Sequence, residues 1–209
     1  MPRLLLLGGP STAYHNISEI GPGIVKALAP AGFELVTTED MDDLNAGNLK
    51  QYAGVFNYTT DRDITEPQWQ ALLAFVRGGG AYIGIHNATD TFENKEEALR
   101  LIGGHFITHP AMLDVDVEIV GTEHEITRGV EPFTIFEELY IMEHWPEDYH
   151  LLAETHSHDR QPLAWIREEG EGRVFYFSLG HNLHCFDHPQ YVKLLGRGAQ
   201  WATKQPVTA

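Results

Sequence analysis

The 209 residues carry 30 acidic against 14 basic side chains, a formal charge of -16 and a pI near 5.0, which excludes a nucleic-acid backbone or an anionic membrane as partner and favours a small neutral or cationic ligand. With 43% hydrophobic residues and no low-complexity tract, the chain can bury roughly 70% of its unfolded surface in one core, so it reads as a single domain over 1–209. The one cysteine, Cys185, excludes an intrachain disulfide and a cysteine-based zinc site, and no apolar run is long enough to span a membrane, so a cytoplasmic location is expected.

In chain order, residues 3–8 form a continuous apolar run broken by Gly-Gly-Pro, the pattern of a central parallel strand. The loop that follows puts His15 at the carboxyl end of that strand, the edge at which open parallel sheets bind ligands. A short helix is expected over 23–29, then strands over 33–38 and 54–58, the alternation of a doubly wound sheet. Asp61 lies just past the third strand, and Thr65, Pro67 and Gln68 mark a capped helix start with Trp69, Leu72, Leu73 and Val76 at helical spacing. Gly78, Gly79 and Gly80 stop that helix, and the fourth strand, over 81–85, delivers His86 and Asn87. Gly84, Ile85, His86, Asn87 and Ala88 have the form of a strand-to-helix elbow with imidazole at the exposed position, which disfavours a covalent hydrolase.

A short acidic helix leads to Gly103, after which His105 and His109 stand four apart in a stretch whose glycines, β-branched pair and Pro110 argue for extended or looped backbone. That spacing leaves a metal reading open. From Leu113 onward strands predominate, over 113–119, 133–142, 150–154, 163–167 and 173–179, the last two joined by an acidic-glycine hairpin. If 133–142 is one strand, Glu137 and Glu138 face opposite sides, one toward the core. Gly180 and His181 repeat the glycine-imidazole pattern of His86 at a strand end, whereas His156, His158 and His188 read as surface. Tyr191, Leu194, Leu195, Gly198 and Trp201 mark a closing amphipathic helix, with a loose tail over 203–209.

Taken in order, GGGAYIGIHNATD, GGHFITHP, EHEITRGV, FEELY, PLAWIREEGEGRVFYFSLGH and LLGRGAQWA resemble the ThuA-like, trehalose-utilisation family over nearly the whole chain. The resemblance implies an α/β fold of the class I glutamine amidotransferase-like type, three layers around a mostly parallel, flavodoxin-like central sheet with strands added in the C-terminal half. It also implies a role in carbohydrate metabolism, beside dehydrogenases that make 3-keto-glycosides. The family's pattern falls on His86, His105, His109, Glu138, Tyr140, His181 and on Thr60 and Asp61. Many relatives have Asp where Glu137 stands, so the role of Glu137 stays unassigned. The amidotransferase cysteine is absent from the elbow, so glutamine hydrolysis is not inherited with the fold.

The reading that follows is an enzyme acting on a keto-sugar or 3-keto-glycoside by elimination, hydrolysis or isomerisation, since a ketone acidifies the neighbouring C–H bond and histidine can serve as base, acid or electrophile. His86, His181 and Glu138 are the expected catalytic residues, and His15, Asp61, Asn87 and Tyr140 the expected substrate contacts. His105 and His109 are candidate ligands for a divalent metal, zinc, manganese or magnesium, and no nucleotide cofactor is expected. The partner is a small carbohydrate, and a homo-oligomer is compatible with the sequence. The alternative is a non-catalytic sugar-binding or regulatory domain, with Tyr14, Tyr58, Trp145 or Trp165 stacking on the sugar.

Overall fold

The computed structural model describes residues 1–9, 14–145 and 149–208. Among these, five strands run in parallel: β1 (Arg3–Gly9), β2 (Glu34–Thr38), β3 (Gly54–Thr59), β4 (Ala81–Ile85) and, from much later in the chain, β11 (Gly172–Phe177). The remaining strands are β5 (Gly104–Thr108), β6 (Leu113–Ile119), β7 (Phe133–Glu137), β8 (Ile141–His144), β9 (His150–Thr155) and β10 (Gln161–Glu169). One nine-stranded sheet has the order β2-β1-β3-β4-β11-β10-β9-β6-β7, parallel as far as β11 and antiparallel beyond it, and β5 pairs with β8 in a separate two-stranded sheet.

Both faces of the parallel half are covered. The continuous apolar run of β1 has side chains to bury on each face, as strands between two helical layers require. Leu4 and Leu6 join Ile20, Ile24 and Leu28 of α1 (Ile17–Leu28) and Leu194 and Leu195 of α5 (Pro189–Ala202). Leu5 and Leu7 join the other cluster, with Trp69, Leu72 and Val76 of α3 (Glu66–Arg77) and Leu101 and Ile102 of α4 (Glu96–Ile102), while α2 (Ala46–Leu49) adds Leu49. The result is a three-layer α/β fold around a large mixed sheet. No helix among the described residues is long and apolar enough to cross a membrane.

Three departures from the sequence reading have local causes. Helix α1 starts at Ile17, not near Gly23, because the Asn16 side chain caps it by accepting from Ser18 N at 2.9 Å and the helix then runs through Pro22. The expected single strand over 133–142 divides into β7 and β8, and residues 138–140 between them leave the strand pattern, so Glu137 and Glu138 are both buried instead of alternating. The last residues lie against α5: Thr208 donates its N–H to Gln200 Oε1 at 2.9 Å, and its carbonyl accepts from Arg197 Nε at 2.9 Å.

Candidate functional site

Four strand ends deliver the site. The segment after β1 carries His15, that after β3 carries Thr60 and Asp61, β4 delivers His86, and β11 is followed by Ser178 and His181. These are the carboxyl ends of parallel strands, and the β1–β3 boundary is where the strand order reverses, the position at which doubly wound sheets bind ligands. Glu138 comes from the short connection between β7 and β8.

The elbow at His86 is real. His86 has φ of +43°, a left-handed backbone that few non-glycine residues adopt, and it opens a single 3-10 turn, His86–Thr89. Two contacts hold it: the His86 carbonyl accepts from Tyr176 Oη at 2.6 Å and from Thr89 Oγ1 at 3.3 Å. The preceding Gly84 is required, because a Cβ there would lie 2.7 Å from Ala88 Cβ and 2.8 Å from Ile102 Cδ1. Gly180, at φ of +134°, makes the corresponding bend before His181.

At the centre, His181 Nδ1 lies 3.2 Å from His86 Nε2, 3.3 Å from His15 Nε2 and 3.4 Å from Glu138 Oε2, and His86 Nε2 lies 3.3 Å from the same carboxylate oxygen. The ligand atoms of His15, His86, Glu138 and His181 all fall within 4.8 Å of one another, so these four residues can hold a metal ion. The outer nitrogens are held as well. His86 Nδ1 donates to the Ser178 carbonyl at 3.1 Å, and His15 Nδ1 meets Thr60 Oγ1 at 2.7 Å, a hydroxyl that also accepts from Asn87 Nδ2 at 2.9 Å.

Burial, with the neighbouring imidazoles of His86 and His181, pushes His15 down to about 3, and burial with His86 lowers His181 as well, so both rings are neutral near pH 7. For Glu138, burial acts upward but is outweighed by the hydrogen bond to His86 and, in the acidic range where the imidazoles are protonated, by His86, His181 and His109, which leave the carboxyl below its ordinary range. Burial raises the Tyr140 hydroxyl well above its usual value, so it remains a donor, and its ring lies 4.1 Å from that of His86.

His15, His181 and Glu138 of this cluster form the floor of a cavity of about 200 Å³ whose walls include Tyr14, Thr60, Asp61, Asp90, Phe106, His109 and Tyr140, with His86 buried beneath them. Of the residues expected from the sequence, His15, His86, His181, Glu138 and Tyr140 come together here, and Asp61 lies on the rim. Asn87 is fully buried behind Thr60 and donates to its hydroxyl instead of facing the cavity. His109 is on the wall, with Nδ1 3.3 Å from Glu138 Oε1, but neither it nor His105 belongs to the four-donor set; His105 Nε2 instead lies 3.2 Å from Glu93 Oε1. Tyr58 and Trp165 are fully buried and unavailable for stacking on a sugar.

Sequence reasoning missed Asp90, four residues past His86, whose carboxyl burial and the nearby Asp61 and Glu93 push up to about 6. A larger cavity of about 490 Å³ opens elsewhere, beside His124, His150 and Trp201, but none of its lining residues belongs to a convergent donor group among the described residues.

The fold recurs in solved structures. A ThuA-like protein of Parabacteroides merdae superposes with a TM-score of 0.82 at 18% identity over 100% of this chain and 92% of its own. One of Bacteroides uniformis gives 0.79 at 20% identity over 96% and 90%. A β-galactosidase of Bacillus circulans gives 0.62 at 13% identity, with this chain covered fully but only 32% of the enzyme. Curated protein sequences return no match. The family model described as trehalose utilisation matches residues 3–202, and the chain therefore belongs to the ThuA family.

Proposed function

We propose that this ThuA-family protein is an enzyme of carbohydrate metabolism that acts on a keto-sugar, with a 3-keto-glycoside as the substrate class that best suits the site. The observation that carries the reading is the convergence of three imidazoles and one carboxylate, with His15, His181 and Glu138 on the floor of a cavity the size of about one sugar ring and His86 beneath them. Family membership supports a carbohydrate-related role. The strand order and the elbow support a class I glutamine amidotransferase-like ancestry without its chemistry. Imidazole occupies the elbow, and Cys185 is buried against Glu137 with its thiol pushed up by burial and by that carboxylate.

In the reaction that fits this site, the ketone at C3 makes the proton on C2 acidic. The C2–H electron pair becomes the enediolate, the proton passes to a base on the cavity wall, and the C1–O bond breaks with its pair going to the leaving oxygen, which takes a proton from an acid. Asp90 and His109, both on the wall, are the base and the acid. His15, His86, His181 and Glu138 would hold a divalent cation at the floor, and that cation would polarise the ketone carbonyl. Tyr140 closes the site as a protonated hydrogen-bond donor. Addition of water to the enone product gives hydrolysis, and reprotonation gives isomerisation.

The test is to offer the protein a methyl 3-keto-glucoside and the unoxidised methyl glucoside and follow both by NMR. Consumption of the keto form alone is expected, reduced by about 10²-fold or more in His109→Ala. Hydrolysis of the unoxidised glycoside, or no reaction with either, would overturn the reading. The second reading, a non-catalytic sugar-binding domain, draws on the recurrence of this fold as about a third of a β-galactosidase chain; it requires binding without turnover in the same assay.

A further inference from the structure

We infer that His15, His86, His181 and Glu138 constitute a binding site for one divalent transition-metal ion of the zinc class. A backbone carbonyl accepts only, so the 3.1 Å contact of His86 Nδ1 with the Ser178 carbonyl puts a proton on Nδ1 and turns Nε2, the ring's other ligand atom, inward. Glu138 Oε2, 3.3 Å from that nitrogen, offers only lone pairs. His181 Nδ1 faces both of these and His15 Nε2, at 3.2, 3.4 and 3.3 Å, and one nitrogen can carry one hydrogen for one of the three. Three imidazole nitrogens and a carboxylate oxygen therefore crowd together in a largely buried place, where unpaired polar atoms are costly. One cation meets all four together.

The spacing supports the same conclusion. Ligands at zinc–nitrogen and zinc–oxygen lengths in a tetrahedron stand roughly 3.3–3.6 Å apart. Four of the six separations in the cluster are 3.2, 3.3, 3.3 and 3.4 Å, and all fall within 4.8 Å. The outer contacts are those of ligating histidines, whose second nitrogen is fixed by a carbonyl or another polar group: Ser178 for His86 and Thr60, braced by Asn87, for His15. Three imidazoles with one carboxylate select zinc, cobalt or iron over magnesium, which prefers oxygen ligands in an octahedron. By contrast, Glu137, His184 and Cys185 are also close, but His184 Nε2 is 2.7 Å from the Phe136 carbonyl and Glu137 already accepts from the Asn182 backbone and side chain, so that trio is closed on itself.

As the electrophile of the keto-sugar reaction the metal rests on the proposed function, yet its binding is read without any substrate, so the two can fail separately. The experiment uses the full untagged chain purified without chelator, with metal content by mass spectrometry before and after dialysis against zinc. Cobalt(II) substitution is followed by visible and paramagnetic NMR spectra. About one ion per chain is expected, with exchange-shifted imidazole N–H signals in the cobalt form. His181→Ala and Glu138→Gln should each weaken zinc binding by 10-fold or more, while His105→Ala should leave it unchanged. Less than a tenth of an equivalent after zinc, cobalt and manganese have each been offered would overturn the inference. So would full retention of zinc by folded His181→Ala, and the cobalt spectrum of the parent decides the matter if that variant fails to fold.

Discussion

Burial and the two nearby carboxylates, Asp61 and Glu93, lift the Asp90 carboxyl from 3.8 to about 6. Between those pH values the folded chain holds more proton than the unfolded one, so this group's contribution to stability is lost as pH rises from about 4 to 6. Asp90→Asn should remove that slope, raising stability at pH 7 by about 1 kcal/mol once solvent screening is allowed for, as urea unfolding at pH 4 and pH 7 would show. The same change should lower turnover by about 10²-fold and abolish a limb near pH 6 in the pH profile of kcat/KM. A variant stabilised but fully active would leave Asp90 on the wall without a part in proton transfer. The residue was not legible in the sequence because Asp61, one of the two carboxylates that perturb it, is distant along the chain and near only in the fold. His86 and His181 were legible, since glycine followed by imidazole at the end of an apolar strand states both position and bend.

At the scale of elements, the break between β7 and β8 decides which glutamate serves the site. Periodicity predicts one strand with the pair on opposite faces; instead the chain leaves the strand pattern after Glu137, and both carboxylates enter the interior. Glu137 accepts from Asn182 N at 3.2 Å, Asn182 Nδ2 at 2.9 Å, Glu138 N at 3.0 Å and the Cys185 thiol, so it ties the β7 end to the segment after His181. Glu138 is thereby free to face the imidazoles. Glu137→Ala should cost about 3 kcal/mol in denaturant unfolding by orphaning these donors, and weaken metal binding although Glu137 touches no ligand atom of the cluster. Glu137→Gln should recover part of both losses. Unchanged stability in the alanine variant would show that the segment after His181 is held by other contacts. Such a tie between remote turns has no signature in local sequence, whereas the parallel strands, set by long apolar runs and glycine punctuation, were read almost to the residue.

For the molecule as a whole, the parallel half of the sheet supplies three imidazoles from its strand ends and the antiparallel half supplies the carboxylate, so neither half holds the site alone. The family resemblance carried Glu138 and Tyr140 where local pattern could not, because their placement depends on that junction. The formal charge of -16 suits a neutral sugar and opposes an anionic one.

Proton removal beside a ketone is tested most directly by incubating the protein with a 3-keto-glycoside in deuterated water and following the C2 proton by NMR. That proton is expected to be lost in the presence of protein, faster than any background exchange, with the anomeric signal consumed at the same rate or more slowly. Cleavage of the glycoside with the C2 proton retained in the product, or a substrate bound and left unchanged, would contradict it.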